Sequence, residues 1–322
     1  MKAGKIKNKL RAIDLVFITY MAFIGIWVFF FNRGISRPYL YSAVHFIIIA
    51  VVIILVPLFE KSKNKVLNFL RWWYPILLFT FNYRAIDSLT GTLARRWYDS
   101  VIYNFEYNLF GVHPTLWMEK FVSPALTEIM KFNYFTYYLM IPVAGAALYF
   151  FRKRKHFLRF LTAISIAFYF SYISFIIFPV RGPRYEFYDK YTKDYTVNIG
   201  RHYGPHVDSG LKEKETRALK GYFVTRLQDY IMKYGSMHGG CMPSSHISVA
   251  FVSMVMMGFY VRKLFYIYLP SVAFLCISVV YNRYHYISDV PAGILVGIIA
   301  IYLADLFIKK YNNRESHRAS PG

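Results

Sequence analysis

Residues 134–180 read YFTYYLMIPVAGAALYFF, then RKRK, then H, then FLRFLTAISIAFYFSYISFIIFPV. Two apolar runs, 134–151 and 157–180, are joined by the four cations Arg152-Lys153-Arg154-Lys155. A hydrocarbon core about 30 Å thick takes roughly 20 apolar residues per helix, so each run is long enough to cross. Connections rich in Lys and Arg stay on the cytoplasmic side. The stretch therefore reads as a transmembrane helical hairpin with its turn in the cytoplasm, and the fold it predicts is an all-α polytopic membrane protein.

Working outward, similar runs occupy 15–31, 41–59, 246–262, 264–282 and 290–308, with a shorter one, WWYPILLFTFNY, at 72–83. Four more basic clusters flank them: Lys2, Lys5, Lys7, Lys9 and Arg11; Lys61, Lys63 and Lys65; Arg262-Lys263; and Lys309-Lys310. All five clusters share one side only if 72–83 also crosses. That predicts about eight transmembrane helices with both termini cytoplasmic. The N-terminus mimics a signal peptide but lacks a small-residue cleavage site, so 15–31 is expected to remain as the first span.

Of the 322 residues, 56% are hydrophobic, 20% are aromatic and 17% are charged. The net charge of +22 sits mainly in clusters beside apolar runs, where it sets topology and meets anionic lipids. A nucleic-acid surface would gather it on one face or arm, so no nucleic-acid partner is expected. The two cysteines, Cys241 and Cys276, lie in a loop and an apolar run; neither a disulfide nor a zinc pattern is expected. Residues 86–133 are too polar to span (Arg95, Arg96, Asp99, Glu106) yet rich in apolar side chains, as interfacial helices are. The long segment 181–245 forms an outer loop, with a short amphipathic helix at 219–234 stopped by Gly235. The expected organisation is an N-terminal helix pair and linker (1–71), a catalytic membrane domain with a six-helix bundle (72–310) and a cytoplasmic tail (311–322).

Three short stretches put ionisable residues at the outer ends of apolar helices: Pro179-Val180-Arg181-Gly182-Pro183-Arg184, Pro243-Ser244-Ser245-His246 and Arg283-Tyr284-His285-Tyr286-Ile287-Ser288-Asp289. The topology sends all three to the same face, where one pocket could collect them. Pro-Ser-Ser opening a helix offers free N–H groups and hydroxyls to an anion. His246 sits in the first turn, placed to give or take a proton. His285 and Asp289 are spaced so that a carboxylate holds one imidazole nitrogen and leaves the other reactive. Arg181, Arg184 and Arg283 offer forked donors that match phosphate oxygens. Each feature alone has an ordinary explanation: a capped helix start, an N-cap aspartate, a snorkelling arginine, a His-Asp metal pair. Together they point to phosphoryl transfer without a metal. His113, His202, His206 and His238 have no such company and are read as loop or interface residues.

These stretches resemble the three signatures of the type 2 phosphatidic acid phosphatase superfamily, which includes lipid phosphatases and vanadium haloperoxidases. Gly182-Pro183-Arg184, Pro-Ser-Ser-His and Arg-Tyr-His-Tyr-x-x-Asp-Val resemble in particular the branch of inositol phosphorylceramide synthases and their bacterial relatives. So do Asn108-Leu109-Phe110-Gly111, Pro114-Thr115 and Trp117 upstream; the likeness spans roughly 100–308. The resemblance implies His285 as the nucleophile, Asp289 as its orienter and His246 as the acid for the leaving alkoxide. It implies phosphate binding by Arg184, Ser244, Ser245 and Arg283, and no cofactor. Ile177 and Val279 stand where the family pattern has lysine and Ser-Arg, and Ser245 where glycine is commoner. The function expected is an integral membrane lipid phosphatase or phosphotransferase acting on a lipid phosphate at the non-cytoplasmic face. The alternatives are an inositol phosphorylceramide synthase-like transferase and, outside enzymes, an anion or lipid transporter.

Overall fold

The computed structural model describes residues 10–60, 62–94, 96–187, 219–235 and 239–319. The lysines at 2–9, Lys61, Arg95, most of the outer loop with His202 and His206, and His238 fall outside these. Among the described residues no β-strand forms; the one bridge pairs Val180 with Gly240. Helices are what a chain adopts when apolar surroundings offer its backbone no partner but itself.

The helices are α1 (Ala12–Phe30), α2 (Pro38–Glu60), α3 (Lys65–Leu89), α4 (Asp99–Phe110), α5 (Pro114–Trp117), α6 (Pro124–Phe151), α7 (Arg154–Ile177), α8 (Pro183–Glu186), α9 (Phe223–Gly235), α10 (Ser245–Tyr260), α11 (Arg262–Tyr281) and α12 (Asp289–Ala319). A 3₁₀ turn over Met118–Phe121 follows α5. Local signals set the starts. Asn64 Oδ1 accepts from Val66 and Leu67 to open α3, Ser123 accepts from Leu126 ahead of Pro124 to open α6, and Ser244 accepts from Ile247 to open α10. At the end of α4, Gly111 takes a left-handed φ of +69°, the turn glycine makes at least cost.

Among the described residues, six helices are long and apolar enough to cross a membrane: α1, α2, α6, α7, α11 and α12. The two others that the basic clusters require differ from these. The 72–83 run lies within the 25-residue α3, which carries Arg71, Asn82, Arg84 and Asp87, and α10 has only 16 residues. Helix α6 starts about ten residues before the apolar run because Ser123-Pro124 caps it, and α12 continues through what the sequence left as tail.

Helix α7 is the most enclosed, with 78% of its apolar window buried, against 24% for α2. It contacts α1, α3, α6, α10 and α12, while α10 and α11 complete the bundle against α6 and α12. Gly293 and Gly297, one turn apart on α12, let it meet α10 closely. A Cβ at Gly293 would lie 2.7 Å from the Ser244 carbonyl, and one at Gly297 3.0 Å from that of Ser248. Small residues at such spacing are how helices approach in lipid. Here the approach brings the first residue of α12 beside the first turn of α10.

Candidate active site

The three outer stretches are sewn together through their main chains. The Cys241 N–H donates to Val180 O (3.2 Å), Arg184 N–H to Arg283 O (3.0 Å) and Ser244 N–H to Asp289 O (3.2 Å). Each stretch thus binds both others. Gly182 sits where they meet: its φ is +98°, and a Cβ there would press on Tyr284 O at 2.9 Å and Cys241 Sγ at 3.1 Å. No other residue satisfies both constraints.

At the centre, His285 Nδ1 lies 3.1 Å from Asp289 Oδ2, and its Nε2 lies 3.2 Å from Ser244 Oγ and 3.4 Å from His246 Nδ1. His246 Nε2 is 2.9 Å from the hydroxyl of Tyr134 on α6. The Tyr286 N–H and the Cys241 thiol both donate to Asp289 Oδ2, each at 2.9 Å. Burial, then the neighbouring Asp289, pushes the Cys241 thiol well above its usual range, so it stays protonated and donates. His285 and Asp289 are almost wholly enclosed.

The cluster opens on a cavity of about 460 Å³. Arg181, Arg184, Ser245, His246 and His285 form part of its lining. Much of the rest is apolar and aromatic, with Ile76 and Phe79 of α3, Ile141 and Pro142 of α6, and Phe168 of α7. Ile231, Met232 and Gly235 of α9 also line it. That helix is held to α6 by Glu128, which accepts from the Tyr222, Val224 and Thr225 N–H groups, and by Lys131, which donates to Asp229 (2.7 Å) and to the Tyr284 hydroxyl (2.9 Å).

Of the residues singled out in the sequence, His246, His285, Ser245, Arg181 and Arg184 share the cavity wall, and Ser244 and Asp289 stand behind it touching His285. Arg283 does not line the cavity. Its Nη2 is paired with Glu119 at 2.6 Å, and its backbone adopts φ +65°. Arg181 is paired with Glu186, and its guanidinium lies 3.9 Å from Asp99.

The sequence reading missed the acidic support from α4 and the turn after α5. Asp99 accepts from the Arg181 and Gly182 N–H groups (3.0 and 2.9 Å) and from the Tyr286 hydroxyl (3.0 Å). Glu106 accepts from the N–H and hydroxyl of Ser288. Burial pushes both carboxyls up from their ordinary range, Arg181 pulling Asp99 and Ser288 pulling Glu106 the other way. Glu186 is pushed up to about 7, by burial first and then by Asp99. Acidic residues in a segment otherwise rich in apolar side chains were the available signal. Tyr134 and Cys241 gave none, because their partners are distant in the chain.

A family model described as the PAP2 superfamily matches residues 101–303. No curated protein matches the chain, and no solved structure does.

Proposed function

Since the chain belongs to the PAP2 superfamily, a group of phosphatase and phosphotransferase type, we propose that it is a multi-pass membrane enzyme that transfers the phosphoryl group of a lipid phosphate through a phosphohistidine at its non-cytoplasmic face. The observation that carries this reading is His285 Nε2. Asp289 holds the opposite ring nitrogen as an acceptor, so the proton resides on Nδ1 and Nε2 keeps its lone pair at the cavity wall.

His285 Nε2 attacks phosphorus as the bond to the lipid oxygen breaks. As an imidazolium, His246 donates its Nε2–H to the Tyr134 hydroxyl and presents its Nδ1–H on the side facing His285; the Nδ1 proton passes to the departing alkoxide and leaves a neutral ring. Water or an acceptor alcohol then attacks the phosphohistidine, returning its proton to His246. Arg181, Arg184, Ser244 and Ser245 hold the phosphoryl oxygens. Arg283 joins them through its carbonyl, which fixes Arg184. The apolar and aromatic share of the cavity lining supports a lipid as the carrier of the phosphate. Its lining from α3 supports assigning that helix, and 72–310 as a whole, to the catalytic domain.

Purified protein given a lipid phosphate should release phosphate, form an acid-labile phosphoprotein and lose activity to vanadate, which mimics the five-coordinate transition state. Release of phosphate without any phosphoprotein on rapid quenching would sink the covalent route. Adding an alcohol acceptor separates transferase from phosphatase, and transport of intact lipid without chemistry favours the transporter. Sidedness rests on the basic clusters. A single cysteine at Lys153 should escape an impermeant reagent applied to intact cells, while one at Tyr222 should react.

A further inference from the structure

Cys241 has no part in the chemistry above, yet it sits inside the cluster. Its Sγ is 2.9 Å from Asp289 Oδ2 and 3.6 Å from His285 Nδ1, and those two atoms are 3.1 Å apart. All three residues are buried, and their ligating atoms form one compact group. Asp289 Oδ1, also buried, has no hydrogen-bond partner. A tetrahedral zinc with bonds of about 2.0–2.3 Å needs ligand atoms about 3.3–3.7 Å apart. The two edges to Nδ1 are within a few tenths of an ångström of that, and the Sγ–Oδ2 edge of 2.9 Å has to open by about 0.6 Å. Thiolate, imidazole and carboxylate together select a borderline-soft ion over magnesium or calcium. Cys241 and His285 both line the cavity, which supplies an entry path and water for a fourth ligand.

We propose that Cys241 Sγ, His285 Nδ1 and the Asp289 carboxylate form an inhibitory site for a thiophilic divalent cation such as Zn²⁺. On binding, the thiol proton leaves to solvent and the ion takes the Nδ1 lone pair. The neutral ring then carries its one proton on Nε2, and the lone pair required for attack on phosphorus is gone. Arg181 and Arg184 are untouched, so the ion lowers kcat and leaves KM unchanged. The inhibitory half rests on His285 as the nucleophile; the binding half does not.

The test uses the metal-stripped, full-length protein in detergent. Titration with Co²⁺ should produce a thiolate-to-cobalt charge-transfer band saturating at one ion per chain and displaced by Zn²⁺. Cys276→Ser should retain the band, and Cys241→Ser, which keeps a hydroxyl to donate to Asp289, should lose it. Zn²⁺ should inhibit wild type at constant KM, and Cys241→Ser should need about 10- to 100-fold more Zn²⁺ or beyond for the same fractional loss, the scale on which even outer partners of a metal act. Absence of the band, or a band that survives Cys241→Ser, overturns the site. Cobalt bound at Cys241 with undiminished turnover keeps the site and removes His285 as nucleophile. Should Cys241→Ser not fold, alkylation of wild type decides: Zn²⁺ protection of Cys241 supports the site, and equal labelling with and without Zn²⁺ sinks it.

Discussion

Two buried clusters of ionisable side chains among the described residues, one around Arg71 and one around His285, are finished differently. In the N-terminal half, Arg71 uses all three of its nitrogens: Nη1 and Nη2 donate to the two oxygens of Asp14 at 3.0 and 2.7 Å, and Nε donates to Glu60 at 2.9 Å. Tyr74 and the Arg11 N–H complete Asp14, each at 2.6 Å, and Arg11 also pairs with Glu60. Asp14 lies in α1, Glu60 ends α2 and Arg71 lies in α3, so the cluster ties three helices at one end of the fold. In the C-terminal half, Asp289 keeps an unpartnered oxygen and His285 turns Nε2 toward a cavity. The groups are alike in kind, but at the centre of the first cluster every side-chain nitrogen of Arg71 and both oxygens of Asp14 are engaged. Such a pair holds helices together. One with capacity remaining at a cavity wall can act on something else.

That contrast is broken or sharpened by substitution. The largest effect belongs to His285→Ala, which should abolish the phosphoprotein altogether. His246→Ala should slow transfer from alkyl phosphates about 10²–10⁴-fold, with much of the loss recovered on nitrophenyl phosphate, whose leaving group needs no proton. Trapping acid-labile phosphoprotein on both substrates checks this, and rescue of His285→Ala by the nitrophenyl ester would reverse the two roles. Next is Arg71→Ala, which leaves Asp14 buried and uncompensated. It should cost about 3–5 kcal/mol, read as a lower unfolding midpoint in detergent, with turnover per folded molecule unchanged. Joint replacement, Asp14→Leu with Arg71→Met, should regain most of that stability. If Arg71→Ala slows the chemistry and spares stability, the two clusters are not different in kind. The smallest effect is that of Tyr134→Phe. Losing one hydrogen bond worth about 0.5–1.5 kcal/mol frees the His246 ring from its orientation, slowing alkyl phosphates about 2- to 10-fold and nitrophenyl phosphate hardly at all.

The all-α polytopic architecture was legible because apolar runs and the clusters between them follow directly from the cost of exposing backbone and charge to lipid. The gathering of His246, His285, Ser245, Arg181 and Arg184 was legible too, since topology alone delivers three helix ends to one face. What the sequence withheld were contacts that join distant segments. Asp99 reaches Gly182 across 83 positions and Tyr134 reaches His246 across 112, and no local pattern encodes either. Arg283 looked like a phosphate ligand because its type and position fit; only the fold places Glu119 against it. The ionic cluster around Arg71 was hidden for the same reason, since Asp14 and Arg71 lie 57 positions apart in different helices.

Helix α10 spans 16 residues, about 24 Å at 1.5 Å per residue, where the hydrocarbon measures about 30 Å. It is followed at once by Arg262-Lys263, the basic turn that the proposed topology puts among the inner headgroups. On the proposed topology that end is pinned, which sets Ser244 and His246 roughly 6 Å beneath the opposite hydrocarbon boundary. For the lipid phosphate proposed as substrate, the head group would then be drawn down from the aqueous layer rather than lifted out of the leaflet, its tails keeping bilayer depth while the released alcohol stays in the membrane.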